Sequence, residues 1–176
     1  MEAVPEEEID LVDQMLDACV RKECGSEEDE SGWSKVVGVM GFSQGARLVP
    51  GLMLRQLVLK QEGRESRWDF KFGVIVGGPY CPISMLPEAE ERDWKADYKL
   101  LKTIPTVHAW GREDHVKSGC IEMMEMCDGD VCFQMDFEGG HHMPLKDVEA
   151  KDLCDLVRAA WFASGGVYEL GKGEKY

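Results

Sequence analysis

The chain has 176 residues, 44% of them hydrophobic and 31% charged, which is enough for one globular domain with a core and too apolar for a disordered one. A formal net charge of −14 repels phosphate backbones and anionic lipid, so nucleic acid and membrane surfaces are poor partners. The seven cysteines form no C-x-x-C pair and the first residues carry no basic-then-apolar leader, so free thiols in a reducing, cytoplasmic setting are expected.

Pro5 to Arg21 predicts an amphipathic helix, with acids in its first turn and Ile9, Val12, Leu16, Cys19 and Val20 as the apolar stripe. Glu6–Glu8 and Glu27–Glu30 read as solvated faces. A polar loop over Cys24–Gly32 leads to a strand at Trp33–Met40 and a helix at Ala46–Gln61, which Pro50 and Gly51 should kink. A second strand is expected at Phe70–Val76, a helix at Glu88–Leu101 and a third strand at Pro105–Trp110. A Met-rich helix at Val116–Cys127, a strand at Val131–Phe137 and a helix at Lys146–Ala163 complete the pattern. Strands alternate with helices and the first three are largely apolar runs. This predicts an α/β fold with about four parallel strands in chain order, flanked by helices.

The stretch Val39-Met40-Gly41-Phe42-Ser43-Gln44-Gly45-Ala46 is a strand, a sharp turn and a helix start, with a serine at the apex. In a G-x-S-x-G elbow a Cβ at either glycine should clash, and the serine sits in a strained conformation above the sheet edge. There the amide of Gln44 can point at a developing oxyanion, with the helix dipole behind it.

A nucleophilic serine needs a base, and the base needs an orienting acid. The loop after the third strand carries Glu113-Asp114-His115, and the loop after the fourth carries Gly139-Gly140-His141-His142. Loops at the carboxyl ends of parallel strands converge on one rim. Asp114 is favoured as the acid over Glu113 and Asp136, because four residues past the strand let its carboxylate curl back. His141 is favoured as the base, since two glycines before it permit a tight turn; His142 would be its solvent-side neighbour. His108 reads as a packed core histidine and His115 as a loop residue. Adjacent histidines point apart, so metal binding by Glu138, His141 and His142 lacks support, and no cofactor is called for. Gly77, Gly78, Pro79 and Tyr80, at the end of the second strand, either line an acyl pocket or form a plain turn. Met85 and Leu86 beyond them would favour an aliphatic chain.

Together, Val39–Ala46, His108-Ala109-Trp110-Gly111-Arg112-Glu113-Asp114 and Glu138-Gly139-Gly140-His141-His142-Met143-Pro144 resemble the FSH-type serine hydrolases, a fungal and animal family related to the ovarian-cancer-gene-2 protein. The resemblance runs from about Trp33 to Pro144. It implies an α/β-hydrolase fold with Ser43 as nucleophile, Asp114 as acid and His141 as base. Fungal members with a Gly-Gly-Pro segment often act in polyketide pathways, as esterases or thiohydrolases. The resemblance therefore implies a small-molecule or carrier-bound acyl substrate, with a polyketide synthase as partner. The family normally begins with a strand and an H-G-x-G-like loop that gives a second oxyanion amide. Residues 1–176 thus read as a single hydrolase domain lacking the usual N-terminal strands. That departure predicts a bared sheet edge and a loss on the order of 10²–10³ in kcat. A general carboxylesterase and a hydrolase remnant serving as an interaction module are the alternatives.

Overall fold

In the computed structural model, which describes residues 3–27, 29–79, 82–86 and 92–167, four strands form one parallel sheet in chain order. Strands β1 (Gly38–Phe42), β2 (Phe72–Val76), β3 (Thr106–Gly111) and β4 (Cys132–Phe137) alternate with helices α2 (Gln44–Gln61), α3 (Trp94–Leu101) and α4 (Lys117–Cys127). Helix α1 (Glu6–Cys24) precedes the sheet and α5 (Asp147–Ala163) follows it. Phe42 is paired with Val76, Val76 with Ala109 and Ala109 with Met135. The strand ends therefore lie abreast, and the loops after them share one rim.

Side-chain alternation along the strands explains the two cores. Ile75 faces Ala46, Val49, Met53 and Leu54 of α2, together with Leu101 of α3 and Met123 of α4. Phe72, Val74, Val76, Val107, Ala109 and Phe137 face the other way, onto Leu153 and Ala160 of α5. Helix α1 lays Ile9, Val12 and Leu16 against Leu52, Trp68, Phe70 and Met85. Asp13, on that same buried face, bonds the Arg55 guanidinium of α2 through both carboxylate oxygens at 2.8 and 3.0 Å. No local sequence pattern marks this pair, whose members lie 42 residues apart. Strand β1 is an edge of the described sheet, with Met40 51% and Phe42 36% exposed.

Several expected boundaries shift. Trp33–Lys35 is a 3₁₀ turn rather than the start of a strand, because Trp33 and Val36 pack into the α1–α2 core and pairing with β2 begins only at Gly38. Strand β2 begins at Phe72 rather than Phe70. The Gln56 side chain takes both backbone groups of Phe70, accepting from its N–H at 2.7 Å and donating to its carbonyl at 2.9 Å. Helix α2 begins at Gln44 and runs on past Pro50. At Gly51 a Cβ would lie 2.0 Å from the Ile83 carbonyl oxygen, while the Ile83 N–H donates to the Arg47 carbonyl at 3.0 Å. The interruption expected there is a docking point for residues 82–86. The first part of the expected helix at Glu88–Leu101, residues 88–91, lies outside the described residues.

Candidate active site

The turn from β1 into α2 holds Ser43 at φ 55° and ψ −121°, and among the described residues no other non-glycine has a positive φ. Such a backbone costs on the order of 1–3 kcal/mol and persists only where its surroundings enforce it. The Ser43 N–H donates to the Val76 carbonyl at 3.0 Å, which pins the elbow to β2. The elbow glycines differ, contrary to expectation. A Cβ on Gly41 would lie 2.3 Å from the Gly45 carbonyl oxygen, whereas a Cβ on Gly45 would meet nothing within 4 Å. Only Gly41 is sterically required.

His141 Nε2 lies 2.8 Å from Ser43 Oγ, and His141 Nδ1 lies 2.9 Å from Asp114 Oδ2. An ionised carboxylate only accepts, so Nδ1 carries the ring proton and Nε2 is left to accept the serine hydroxyl proton. The Asp114 side chain is 1% exposed and that of His141 is 22% exposed. The Val116 N–H donates to Asp114 Oδ1 at 2.9 Å, which fixes the carboxylate in its loop. The Gln44 amide opens α2 directly after Ser43 and by position has no intrahelical acceptor. Together these groups can take a proton from a hydroxyl, hold the resulting imidazolium, and offer one amide to an oxyanion.

The loops that carry Asp114 and His141 are stapled to each other. The Arg112 N–H donates to the Phe137 carbonyl at 2.8 Å, and the Glu113 N–H to the Gly139 carbonyl at 2.9 Å. Gly111 makes this approach possible, since a Cβ there would lie 2.2 Å from the Gly140 carbonyl oxygen. The rival acids point elsewhere: Glu113 is exposed, and Asp136 accepts from Arg112 at 2.8 Å. His142 is not the solvent-side neighbour expected. It is partly buried against Phe137, and its Nδ1–H donates to the Met143 carbonyl at 2.7 Å. Glu138 pairs with Lys146, so Glu138, His141 and His142 do not gather.

Other groups near the serine had no distinct sequence signal. The Phe42 ring stacks on His141, and a Cβ on Gly77 would come 3.2 Å from His141 Cε1. His115 is exposed, yet its ring stands edge-on to His141 with centroids 5.1 Å apart. Gly78 and Pro79 are buried beneath the elbow, with Ala46 and Ile75 against Gly78. Met85 and Leu86 are buried in the core, and Tyr80 lies outside the described residues. None of the described members of the expected pocket therefore offers an open apolar wall. A cavity of about 460 Å³ lies instead at the far end of α2, between Arg55, Leu59, Trp68 and Arg92. Burial pushes the Cys120 and Cys127 thiols up to about 12, with the Asp114 charge adding to the effect on Cys120. Neither is a thiolate at neutral pH.

The family described as Serine hydrolase (FSH1) matches residues 5–153, which include all three of Ser43, Asp114 and His141. The chain belongs to the FSH1 serine hydrolase family. The esterase citA of Monascus ruber is 29% identical over 158 residues, covering 81% of this chain and 59% of the relative. A probable esterase of Aspergillus terreus is 26% identical over 181 residues, covering 97% of this chain and 67% of the relative. This FSH1-family chain therefore spans about three fifths of the length of the Monascus protein. Among solved structures, acyl-protein thioesterase 2 of Zea mays superposes with a TM-score of 0.57 at 16% identity, over 88% of this chain and 65% of that one. A Rhizomucor miehei esterase gives 0.54 at 16% identity, over 86% and 58%. At such identities the likeness is one of fold, and the fold is that of the α/β-hydrolases. Among the described residues no helix is long and apolar enough to cross a membrane.

Proposed function

We propose that this protein hydrolyses an ester or thioester through an acyl-Ser43 intermediate. The observation that carries the reading is the continuous relay from Asp114 through His141 to Ser43, with contacts of 2.9 and 2.8 Å. His141 takes the Ser43 proton as the hydroxyl attacks the acyl carbonyl, then returns it to the leaving alcohol or thiol. Asp114 holds the imidazole tautomer and stabilises the imidazolium, and the Gln44 amide receives the oxyanion. Water, deprotonated by the same histidine, then releases the acid and restores Ser43.

A carrier-bound acyl chain, such as one delivered by a polyketide synthase, is the substrate class favoured by the family resemblance. The chemistry of the leaving group supports a thioester. A thiolate departs more readily than an alkoxide, because a thiol is the stronger acid, and collapse of the tetrahedral intermediate is correspondingly easier for a thioester. The free thiols and the acidic surface support a cytoplasmic setting.

The exposure of Met40 and Phe42 on β1 favours a second reading, in which the same fold is an interaction module without turnover. Fluorophosphonate labelling separates the two. Fast labelling that Ser43→Ala abolishes and the exposed-site control Ser118→Ala leaves intact supports the hydrolase. Labelling that survives Ser43→Ala, or none at all, overturns it. Matched thioester and alkyl ester pairs then decide the substrate, with higher kcat/KM expected for the thioester.

A further inference from the structure

We propose that Asp114, His115 and His141 form a regulatory zinc site that switches the hydrolase off. One ligand atom from each of the three residues can be chosen so that all lie within 4.8 Å of one another. Asp114 Oδ1 is 3.6 Å from His115 Nδ1 and 3.2 Å from His141 Nδ1. Ligand atoms around a tetrahedral zinc ion, with bonds of about 2.0–2.1 Å, stand about 3.4 Å apart. Two edges of the required tripod therefore already have nearly the right length. The third closes by rotation of His115, whose side chain is 74% exposed and so has room to turn.

The donor set favours a borderline transition-metal ion over the hard cations. Two imidazoles and one carboxylate suit zinc, whereas calcium and magnesium take oxygen ligands almost exclusively. Three protein ligands leave a fourth position for water, and the exposed His115 ring marks the solvent route to it. The net charge of −14 raises the local concentration of any cation.

The consequence for turnover follows from the tautomer, and it rests on the reading of His141 as the base. Zinc binds the Nδ1 lone pair, so the proton on Nδ1 passes to solvent. The ring stays neutral by taking a solvent proton at Nε2, while the ion gives up three of its waters. No electron changes hands. Nε2, now protonated, can donate toward Ser43 Oγ but cannot accept its proton. Asp114 is drawn from the imidazole to the metal in the same step. Activity should therefore disappear without loss of fold, and a chelator should restore it.

The test has two arms. In the first, hydrolysis of a short acyl ester is titrated with zinc chloride, and each variant is normalised to its own chelator-treated rate. His115→Ala should raise the half-inhibitory zinc concentration at least tenfold. An unchanged value overturns the proposal. In the second arm cobalt(II) is titrated into Ser43→Ala protein, with and without His115→Ala. A single equivalent should give visible d–d absorption without the near-ultraviolet charge-transfer band of thiolate ligation, and His115→Ala should remove it. A thiolate band, pointing to the exposed Cys19 or Cys154, or absorption that survives His115→Ala, overturns the site. The cobalt arm needs no turnover. A protein that hydrolyses nothing but loses cobalt absorption with His115 would refute the hydrolase reading and keep the metal site.

Discussion

Phe42 lies flat against His141, ring centroids 5.1 Å apart and planes 30° apart. The residue just before Ser43 in the chain thus holds the His141 ring in space. The contact restricts the imidazole to the orientation in which Nε2 meets Ser43 Oγ. An aromatic pair of this kind contributes about 0.5–1.5 kcal/mol beyond its buried area. Phe42→Ala should therefore lower kcat by up to about tenfold with little change in KM, measured on a short acyl ester. A fall in KM affinity alone would show that Phe42 contacts substrate rather than positioning the base.

The two elbow glycines should respond in opposite ways to alanine. Gly41→Ala drives a Cβ into the Gly45 carbonyl, and such a backbone collision should cost about 3 kcal/mol or more. Gly45→Ala enters open space within a helix, where alanine is preferred to glycine by about 0.5–1 kcal/mol. Thermal melts of the two variants check this. Equal loss at both sites would mean that Gly45 faces a neighbour in the folded protein.

Asp114→Asn should keep the fold and remove most turnover. The amide can no longer force the proton onto Nδ1, and a loss of about 10⁴ in kcat is the usual consequence of the wrong tautomer. His141→Ala should abolish hydrolysis, while His142→Ala should act mainly on stability by baring Phe137. A larger kinetic loss at His142 would reverse the assignment.

His108 makes stability depend on acid. It is 1% exposed, neither ring nitrogen has a hydrogen-bond partner, and burial lowers its pKa from 6.5 to about 3. Between those values the unfolded chain binds a proton that the folded protein does not, so stability falls as pH drops below about 6.5. Between pH 6.5 and 4.5 this amounts to about 2–3 kcal/mol. His108→Leu should flatten that slope, and its melting temperature relative to wild type should be higher at pH 4.5 than at pH 8. A parallel offset at both values would mean that the histidine does not titrate on unfolding.

The sequence alone was enough for the alternation of strands and helices, the elbow at Ser43, and the choice of Asp114 and His141 as the acid and base to expect. Those features depend on short stretches of chain: an apolar run, a glycine-bounded turn, and a polar residue a few positions past a strand end. The tertiary structure decided what depends on contacts between stretches. Gln56 takes the backbone of Phe70 and so delays β2, and Asp13 is buried because Arg55 meets it from another helix. Gly45 has space where Gly41 has none, and His142 packs inward on Phe137. Phe42, Gly77 and His115 gather round His141 only because parallel register sets the ends of β1 to β4 side by side. Local sequence determines how a turn bends. Which atoms then lie within a few ångströms is set by register and packing, and these sum over residues far apart in the chain.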